Sequence, residues 1–422
     1  MKTNLRTSAL IAAGIVSAGS AAYAEEGRMN PVETALTSTT ISGYVSTSAF
    51  FDVGGYDGTA RLPGRVFDVG SNMDKINLDV VKLTLEKPLD EADWSAGYKV
   101  DLLFGPDANV FGTSSILGAG ANADFTIKQA YVNLQTPVGN DLTVKVGVFD
   151  TIIGYEVMES PSNPNFSRSY AYYIEPFQHT GMLLSYAVTD WLSVNAGIAN
   201  AWDTRINANP YYQGQPEELG IQTFMGSVAI TVPDDSGFLA GTSIYGGIVS
   251  GLGTEQIYAS GDADGDGVTD VTEGGRRNSY YAGVTVPTPL ENLSVGVAYD
   301  YRTSESFNAT TGNTADQWAQ TLAGYLSFQI SEQLKLNFRG EWAKGTAGTW
   351  GTQPAPGTVG GAIVSEDLLG LTTTLDISLW ANVLTRIEFR WDNDMANTRA
   401  FGGSDDPDNN AFILGANVVY KF

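Results

Sequence analysis

The chain has 422 residues, with 23 Lys and Arg against 47 Asp and Glu, so its formal net charge is −24. It has no Cys and one His, which excludes disulfide frameworks, Cys-ligated metal clusters, thiol nucleophiles and multi-His metal sites. The acidic balance argues against nucleic acid as a partner, because phosphate binding needs a basic face. With 8 Trp, 20 Tyr and 18 Phe, the chain has enough apolar surface to be predicted as folded rather than disordered.

Residues 1–24 are typical of a secretory signal peptide. A positively charged start is followed by an uncharged apolar run, and small residues precede a cleavage point after Ala24. The alternative is a transmembrane anchor, for which the run is short and rich in small residues. We therefore expect an exported protein with a short periplasmic segment at 25–40. No later segment reaches the ~18–20 unbroken apolar residues of a membrane-spanning helix.

The rest of the chain alternates between polar and apolar residues with a period of two. Between Trp94 and Phe104 every second residue is apolar, and Lys99 and Asp101 lie among the residues between them. Such alternation is typical of a strand with different surroundings on its two faces. Most of the runs are close to the ~9–11 residues that a tilted strand needs to cross a bilayer. The predicted strands are 41–53, 77–87, 94–105, 125–136, 141–149, 179–188, 191–200, 220–232, 238–250, 278–287, 292–303, 317–330, 332–344, 366–379, 382–393 and 410–422.

Short and long connections alternate between these strands, as at 137–140 and 150–178. In outer-membrane barrels the periplasmic turns are short and the external loops are long. The two patterns together predict an all-β fold, a transmembrane up-and-down antiparallel β-barrel of about 16 strands, over residues 41–422. A barrel of roughly 16 strands encloses an aqueous lumen.

A soluble β-sandwich or β-solenoid is the alternative fold, because it also alternates. Aromatic residues at the strand ends favour the barrel. Trp94 and Trp191 lie at one level, and Trp342, Trp391 and Tyr301 lie at the other. Two such levels are typical of the aromatic girdles at the lipid–water interfaces.

The last strand carries an unbroken apolar face that ends in an aromatic residue, formed by Leu414, Ala416, Val418, Tyr420 and Phe422. It resembles the C-terminal signal that the barrel-assembly machinery reads, although an ordinary final strand could look the same. We therefore expect this machinery as a partner, with outer-membrane lipid and lipopolysaccharide around the barrel and the outer membrane as the location. Assembly into homotrimers is left open by the sequence.

Several stretches resemble the β-barrel outer-membrane porin family described as OmpL-like. They are residues 81–90, 94–106, 147–156, and 167–170 together with 173–176. The resemblance covers most of the chain and is strongest from about 78 to 200. It implies a membrane barrel with pore activity and brings no catalytic residues.

The predicted loop 150–178 exceeds the ~12–15 residues beyond which loops tend to be functional or disordered. Its aromatic and proline residues favour a folded loop. We expect it to enter the barrel and narrow the channel; a lid on the external rim or a subunit contact is the rival. Basic residues on one wall would then face its carboxylates and set a transverse field, or would merely solvate the lumen. The predicted constriction residues are Glu156, Glu159, Arg168, Tyr170 and Glu175 on the loop, and Lys335, Arg339, Arg386 and Arg390 on the wall.

Residues 262–273 match a calcium-binding loop in their spacing of oxygen ligands, central Gly and final Glu. Glycines on both sides exclude flanking helices. The segment predicts a weak Ca²⁺ site, in the ~10⁻⁴–10⁻³ M range; a solvated acidic loop is the alternative. No cofactor is otherwise expected. The predicted ligands are Asp262, Asp264, Asp266, Val268, Asp270 and Glu273.

Catalysis finds little support in the sequence. A Ser/His/acid arrangement would have to use His179, the only His, and a polar residue at the membrane interface is the favoured interpretation of it. We predict that the protein is not an enzyme but an outer-membrane porin, a passive channel for small hydrophilic solutes and ions. A structural or adhesive barrel is the first alternative, and a membrane esterase is the second.

Overall fold

The computed structural model describes most of the chain from Thr39 to Phe422. The predicted signal peptide and nearly all of the segment 25–40 lie outside the described residues. The described ranges are 39–53, 73–110, 124–202, 206–212, 215–253, 258–259, 271–288, 290, 292–308, 314–346, 349–350, 366–397, 401–402 and 407–422.

Sixteen long antiparallel strands form the barrel, and each corresponds to one of the predicted strands. Most of their ends lie within a few residues of the predicted ones. They are β1 (Thr40–Asp52), β2 (Lys75–Lys87), β3 (Ala96–Phe104), β4 (Phe125–Thr136), β5 (Leu142–Asp150), β6 (Gln178–Ala187), β7 (Leu192–Ala199), β8 (Thr223–Thr231), β9 (Ser243–Leu252), β10 (Val271–Pro287), β11 (Leu293–Asn308), β12 (Thr314–Gln329), β13 (Leu334–Gly345), β14 (Glu366–Ile377), β15 (Val383–Asp394) and β16 (Asn410–Lys421).

The barrel closes between its first and last strands. Each strand pairs antiparallel with its neighbours in sequence, and β16 also pairs with β1, where Val45 lies opposite Tyr420. Gly43 and Phe422 exchange two backbone hydrogen bonds, with N–O distances of 2.9 and 3.0 Å. A closed barrel leaves no unpaired sheet edge, which a lipid-exposed sheet requires.

The two faces of the strands differ as the alternation predicts. Leu414, Val418 and Tyr420 are each more than 40% exposed on the outside, whereas Asn417 and Val419 between them are buried on the inside. An apolar exterior over a polar interior is the arrangement of a barrel that sits in lipid. The terminal apolar face therefore lies on the lipid side.

Three predicted boundaries are wrong, and one of them is the start of β10, which lies at Val271 and not at 278. The expected long connection at 304–316 is mostly strand, because β11 and β12 continue past the barrel rim and pair as far as Phe307 and Thr314. The expected strand 238–250 begins only at Ser243, because a turn with positive φ at Gly237 and Gly241 precedes it. Short and long connections therefore do not alternate strictly.

Helical structure within the described ranges consists of short segments. One α-helix, α1, runs from Pro106 to Val110, and three 3₁₀ turns span Ser160–Ser162, Ala171–Tyr173 and Gly237–Leu239. None of the helices described here has the length and apolar character needed to cross a membrane.

Candidate functional site: a loop across the lumen

The connection between β5 and β6, residues 151–177, folds inside the barrel and is called the inner loop below. Near its start, the ring of Tyr155 stacks on Tyr325 of β12, with centroids 4.1 Å apart. Further along, Phe166 stacks on Phe50 of β1 at 5.2 Å. Because β1 and β12 are separate parts of the wall, the inner loop extends across the interior.

Three buried arginines on β13 and β15 bind one side of the inner loop; Arg339, Arg386 and Arg390 are called the arginine wall. Arg339 Nη1 lies 2.8 Å from Glu156 Oε1 of the inner loop, and Nε lies 2.9 Å from Glu341 Oε1 of its own strand. The same Nη1 donates to the carbonyl oxygen of Ser167 at 2.8 Å. This guanidinium therefore joins a wall carboxylate to the loop.

The other two arginines bind backbone atoms of the inner loop. Arg386 donates to the carbonyl oxygens of Ser160 at 2.7 Å and Asn163 at 2.8 Å. Arg390 donates to the carbonyl oxygen of Arg168 at 2.7 Å, and its Nε lies 2.7 Å from Asp392 Oδ2. Arg386 Nε also lies 3.0 Å from Asp376 Oδ1. Each of the three guanidinium groups therefore binds one wall carboxylate and at least one atom of the inner loop.

Carboxylates of the same wall accept hydrogen bonds from the inner loop. Glu388 accepts the backbone N–H groups of Phe166 at 2.6 Å and Ser167 at 2.9 Å. Glu341 accepts the backbone N–H of Tyr170 at 2.6 Å, and Asp392 accepts the Tyr170 hydroxyl at 2.7 Å. Charge-assisted bonds of this kind are stronger than neutral ones. The loop backbone is therefore held through both its donors and its acceptors.

A second cluster, the lysine pole, binds the other side of the inner loop. Lys82 of β2 and Lys128 of β4 lie 2.5 and 2.7 Å from Oε1 of Glu159. Lys82 also pairs with Asp101 at 3.1 Å, and Lys128 pairs with Asp150 at 2.5 Å. Burial raises the pKa of Glu159, but the charges of Lys128 and Lys82 outweigh it and hold that pKa well below its usual value. Glu159 is therefore ionised at neutral pH.

Lys128 was not predicted to face the lumen, because a β-bulge places it there. Asp101 lies opposite Gln129, but the next residue, Leu102, lies opposite Ile127, so Lys128 is the extra residue of β4. A bulge reverses the in–out alternation beyond it. A strict period of two could not have found this residue.

Near its end, the inner loop brings Glu175 to the carboxylate of Asp300 on β11. Burial and the Asp300 charge raise the pKa of Glu175 well above its usual value. The Glu175 carboxyl packs on Gly154, where a Cβ would overlap Oε2 and where φ is +111°. This backbone conformation and the close approach both require glycine.

A family model described as putative beta-barrel porin-2, OmpL-like, matches residues 38–422 of this sequence. The chain belongs to this family. It is an outer-membrane porin, a passive diffusion channel. No curated protein sequence matches the porin.

Solved structures of outer-membrane proteins share the fold. The outer membrane channel DcaP of Acinetobacter baumannii aligns with a TM-score of 0.59 and 11% identity, over 91% of this chain and 97% of DcaP. OmpT, an outer membrane protein of Vibrio cholerae, aligns with a TM-score of 0.55 and 14% identity, over 93% of this chain and 100% of OmpT. The anion-selective porin from Comamonas acidovorans aligns with a TM-score of 0.54 and 10% identity, over 91% of this chain and 99% of that porin.

Five of the nine predicted constriction residues lie together at the arginine wall, namely Glu156, Tyr170, Arg339, Arg386 and Arg390. Glu159 lies instead at the lysine pole, and Glu175 lies at Asp300. Arg168 differs from the others, because its guanidinium turns back to its own loop and donates to the carbonyl oxygens of Phe166, at 2.6 Å, and Met158. Lys335 is separate too: in the described structure no hydrogen bond or ion pair of the inner loop reaches it. The expected transverse field across water is not what the arginine wall shows. Its arginines are in direct contact with carboxylates, at 2.8 Å for Arg339 and Glu156 and at 2.7 Å for Arg390 and Asp392.

The predicted calcium ligands at 262–270 lie outside the described residues. Glu273 lies in β10, where its backbone pairs with Phe307. Among the described residues no group of three or more His, Asp or Glu side chains could hold a metal ion. His179 is fully buried, and its Nε2 lies 3.4 Å from the Thr151 hydroxyl.

Proposed function

We propose that the inner loop is the constriction of this porin and limits passage to small hydrophilic solutes and ions. One observation supports the proposal: the inner loop leaves the wall at β5, and its residues 166–170 are bound to the arginine wall, whose strand β13 is eight strands from β5 around the barrel of 16. A barrel of roughly 16 strands would otherwise enclose a wide aqueous lumen. An element that crosses this lumen sets the width of the path.

The chemistry of the interior supports hydrophilic solutes. On β6, β7 and β8 the buried inward side chains include Ser185, Ser193, Asn195 and Ser227. Hydroxyl and amide groups can replace part of the hydration shell of a polar solute. The charges at the constriction are compensated at contact distance, so solute size is the property that the loop selects.

We further propose that the exterior contacts outer-membrane lipid and lipopolysaccharide, and that the barrel-assembly machinery reads the C-terminal strand. A homotrimer is the proposed assembly; a trimer form is described for OmpT of Vibrio cholerae, whose fold is similar. We propose no catalytic role for the porin. Ester hydrolysis that disappears in H179A would overturn this last point.

Single-channel recording in planar bilayers tests the constriction. Deletion of residues 156–172 removes the contacts with both walls, and we expect a clear increase in conductance. Deletion of residues 234–239, the exposed segment between β8 and β9, is the matched control and should leave conductance near that of the wild type. Unchanged conductance after the first deletion would instead favour a lid or a subunit contact. A wild-type barrel that inserts but never conducts would favour the structural or adhesive alternative.

A further inference from the structure

We propose that Glu175, Asp300 and Thr321 form a binding site for one hard divalent cation beneath the end of the inner loop. Glu175 belongs to the loop, Asp300 to β11 and Thr321 to β12. The bound cation would tie the end of the loop to β11 and β12, next to the arginine wall, whose first strand β13 pairs with β12.

Two of the three groups lie side by side on the barrel wall. Asp300 and Thr321 are directly opposite each other in the β11–β12 register, which places their Cβ atoms about 4.5–5.5 Å apart on the same face. Asp300 is 3% exposed and Thr321 is 1% exposed. In the described part of the chain, no group other than the Glu175 carboxyl itself is placed to donate to an Asp300 oxygen, and the Thr321 hydroxyl has no partner. Buried polar atoms of this kind require an explanation.

The third group brings a second negative charge. Glu175 is 6% exposed, and Gly154 fixes its carboxyl at Asp300, because only a glycine leaves room for it. Within the described ranges, no Lys or Arg forms an ion pair with Glu175 or Asp300. Two buried carboxylates without a counter-ion would be strongly destabilising. The pair therefore needs either a cation or a shared proton.

The unpaired atoms favour the cation. A proton shared between the two carboxyls occupies one oxygen of Asp300 and leaves the other oxygen and the Thr321 hydroxyl without partners. A cation can be bound by all three groups at once. Carboxylate and hydroxyl oxygens are ligands for hard ions, and two carboxylates balance two positive charges. Ca²⁺ tolerates irregular geometry at ~2.3–2.6 Å and takes its remaining ligands from water.

The test uses the full chain in detergent after removal of metals with a chelator. Ca²⁺ binding is measured by calorimetry. Luminescence of Tb³⁺, used in place of Ca²⁺, reports the same site, because excitation of the nearby Tyr281 is transferred to the bound ion; Tyr281 of β10 is the register partner of Asp300. We expect Ca²⁺ to bind the wild type and to bind D300N at least about tenfold more weakly at this site. T321V, which removes only the hydroxyl, should also weaken binding. Folding of both variants is verified by comparing the migration of heated and unheated samples on denaturing gels.

The control variant is D264N, because the segment 262–273 carries its own predicted calcium ligands. The proposed site should keep its affinity in D264N. The proposal fails if D300N binds as much Ca²⁺ as the wild type, or if D264N alone abolishes all binding. It also fails if the wild type binds no Ca²⁺, which is the result expected for a shared proton.

Discussion

Two walls of the barrel hold the same loop in different ways. At the arginine wall, Arg386 and Arg390 donate mainly to backbone carbonyl oxygens of the inner loop. At the lysine pole, Lys82 and Lys128 both contact one side chain, Glu159. Backbone atoms are present whatever the loop sequence is, whereas Glu159 can be lost by one substitution. The arginine wall should therefore be the redundant attachment, and the lysine pole the vulnerable one.

The difference follows from the shapes of the two cations. A guanidinium is planar and presents five donors, so it can bind a carboxylate along one edge and loop carbonyls along another. An ammonium is a compact charge, and both lysines reach the loop through the same atom, Glu159 Oε1, although each also pairs with a wall carboxylate, Asp101 or Asp150. The comparison leads to four expectations, from the largest effect to the smallest.

The largest effect is expected for E159Q. It removes two charge-assisted hydrogen bonds at one buried atom while Lys82 keeps Asp101 and Lys128 keeps Asp150, so the free energy of unfolding should fall by about 3 kcal/mol. The inner loop should also detach at this pole. Denaturant unfolding in detergent measures the first effect, and protease cleavage within the loop of the folded barrel measures the second.

E86Q is the matched control for this substitution. Glu86 also pairs with a wall lysine, Lys99, but at 3.7 Å and with a side chain that is 39% exposed. Such exposed pairs contribute about 0–1 kcal/mol. If E159Q is as mild as E86Q, the lysine pole does not hold the loop.

R390K should come next. Lysine cannot reproduce the pair of bonds to Asp392, at 2.7 and 2.8 Å, together with the bond to the Arg168 carbonyl oxygen at 2.7 Å. Leaving these acceptors unpaired should destabilise the barrel by about 2 kcal/mol. R276K, at an exposed position of β10, should change stability by less than about 0.5 kcal/mol. Equal unfolding midpoints for the two variants would show that guanidinium geometry is not what the wall uses.

The strands and their faces could be predicted from the sequence because lipid and water impose a period of two. The predicted faces of β3 and β16 are the observed ones: Tyr98 is exposed and Asp101 is buried, and Tyr420 is exposed and Asn417 is buried. Loop length and aromatic content also indicated the inner loop. These signals are local, so a single sequence contains them.

The partners across the lumen could not be predicted in this way. Lys128 and Asp79 reach the interior through bulges in β4 and β2, and no residue type marks a bulge reliably. Glu175 meets Asp300 only because the end of the inner loop passes β11, which depends on the whole path of the loop. Lys335 lies on the same face of β13 as Arg339, as the alternation predicts, but the inner loop does not extend far enough to contact it.

The stability contributed by the lysine pole should also decrease at low pH. This effect should be smaller than those of the two substitutions over the pH range in which unfolding is measured. Because the pKa of Glu159 is held below its usual value, its stabilisation is complete above about pH 4.3 and is lost as the pH falls through the lowered pKa. The stability difference between wild type and E159Q should be constant from pH 8 to about 4.5 and shrink below that. Asp101 and Asp150 share the lysines and are present in both proteins, so the difference reports Glu159 together with its coupling to these two carboxylates. A difference that grows on acidification would contradict the assignment.

The smallest effect is expected for E156Q, the arginine-wall counterpart of E159Q. Arg339 loses the charge of Glu156 at 2.8 Å but keeps Glu341 at 2.9 Å and the Ser167 carbonyl oxygen at 2.8 Å. Its charge stays compensated, so the loss should be about 1 kcal/mol.

The comparison between the two walls is tested by the losses of unfolding free energy in E156Q and E159Q. Glu156 and Glu159 lie three residues apart, and each binds wall cations at contact distance. They differ in what else joins those cations to the loop: Arg339 also binds the Ser167 carbonyl oxygen, whereas Lys82 and Lys128 reach the loop through Glu159. Measured side by side by denaturant unfolding, E156Q should be clearly milder than E159Q. If the two variants lose the same stability, the arginine wall also depends on one loop carboxylate, and redundancy does not distinguish the two walls.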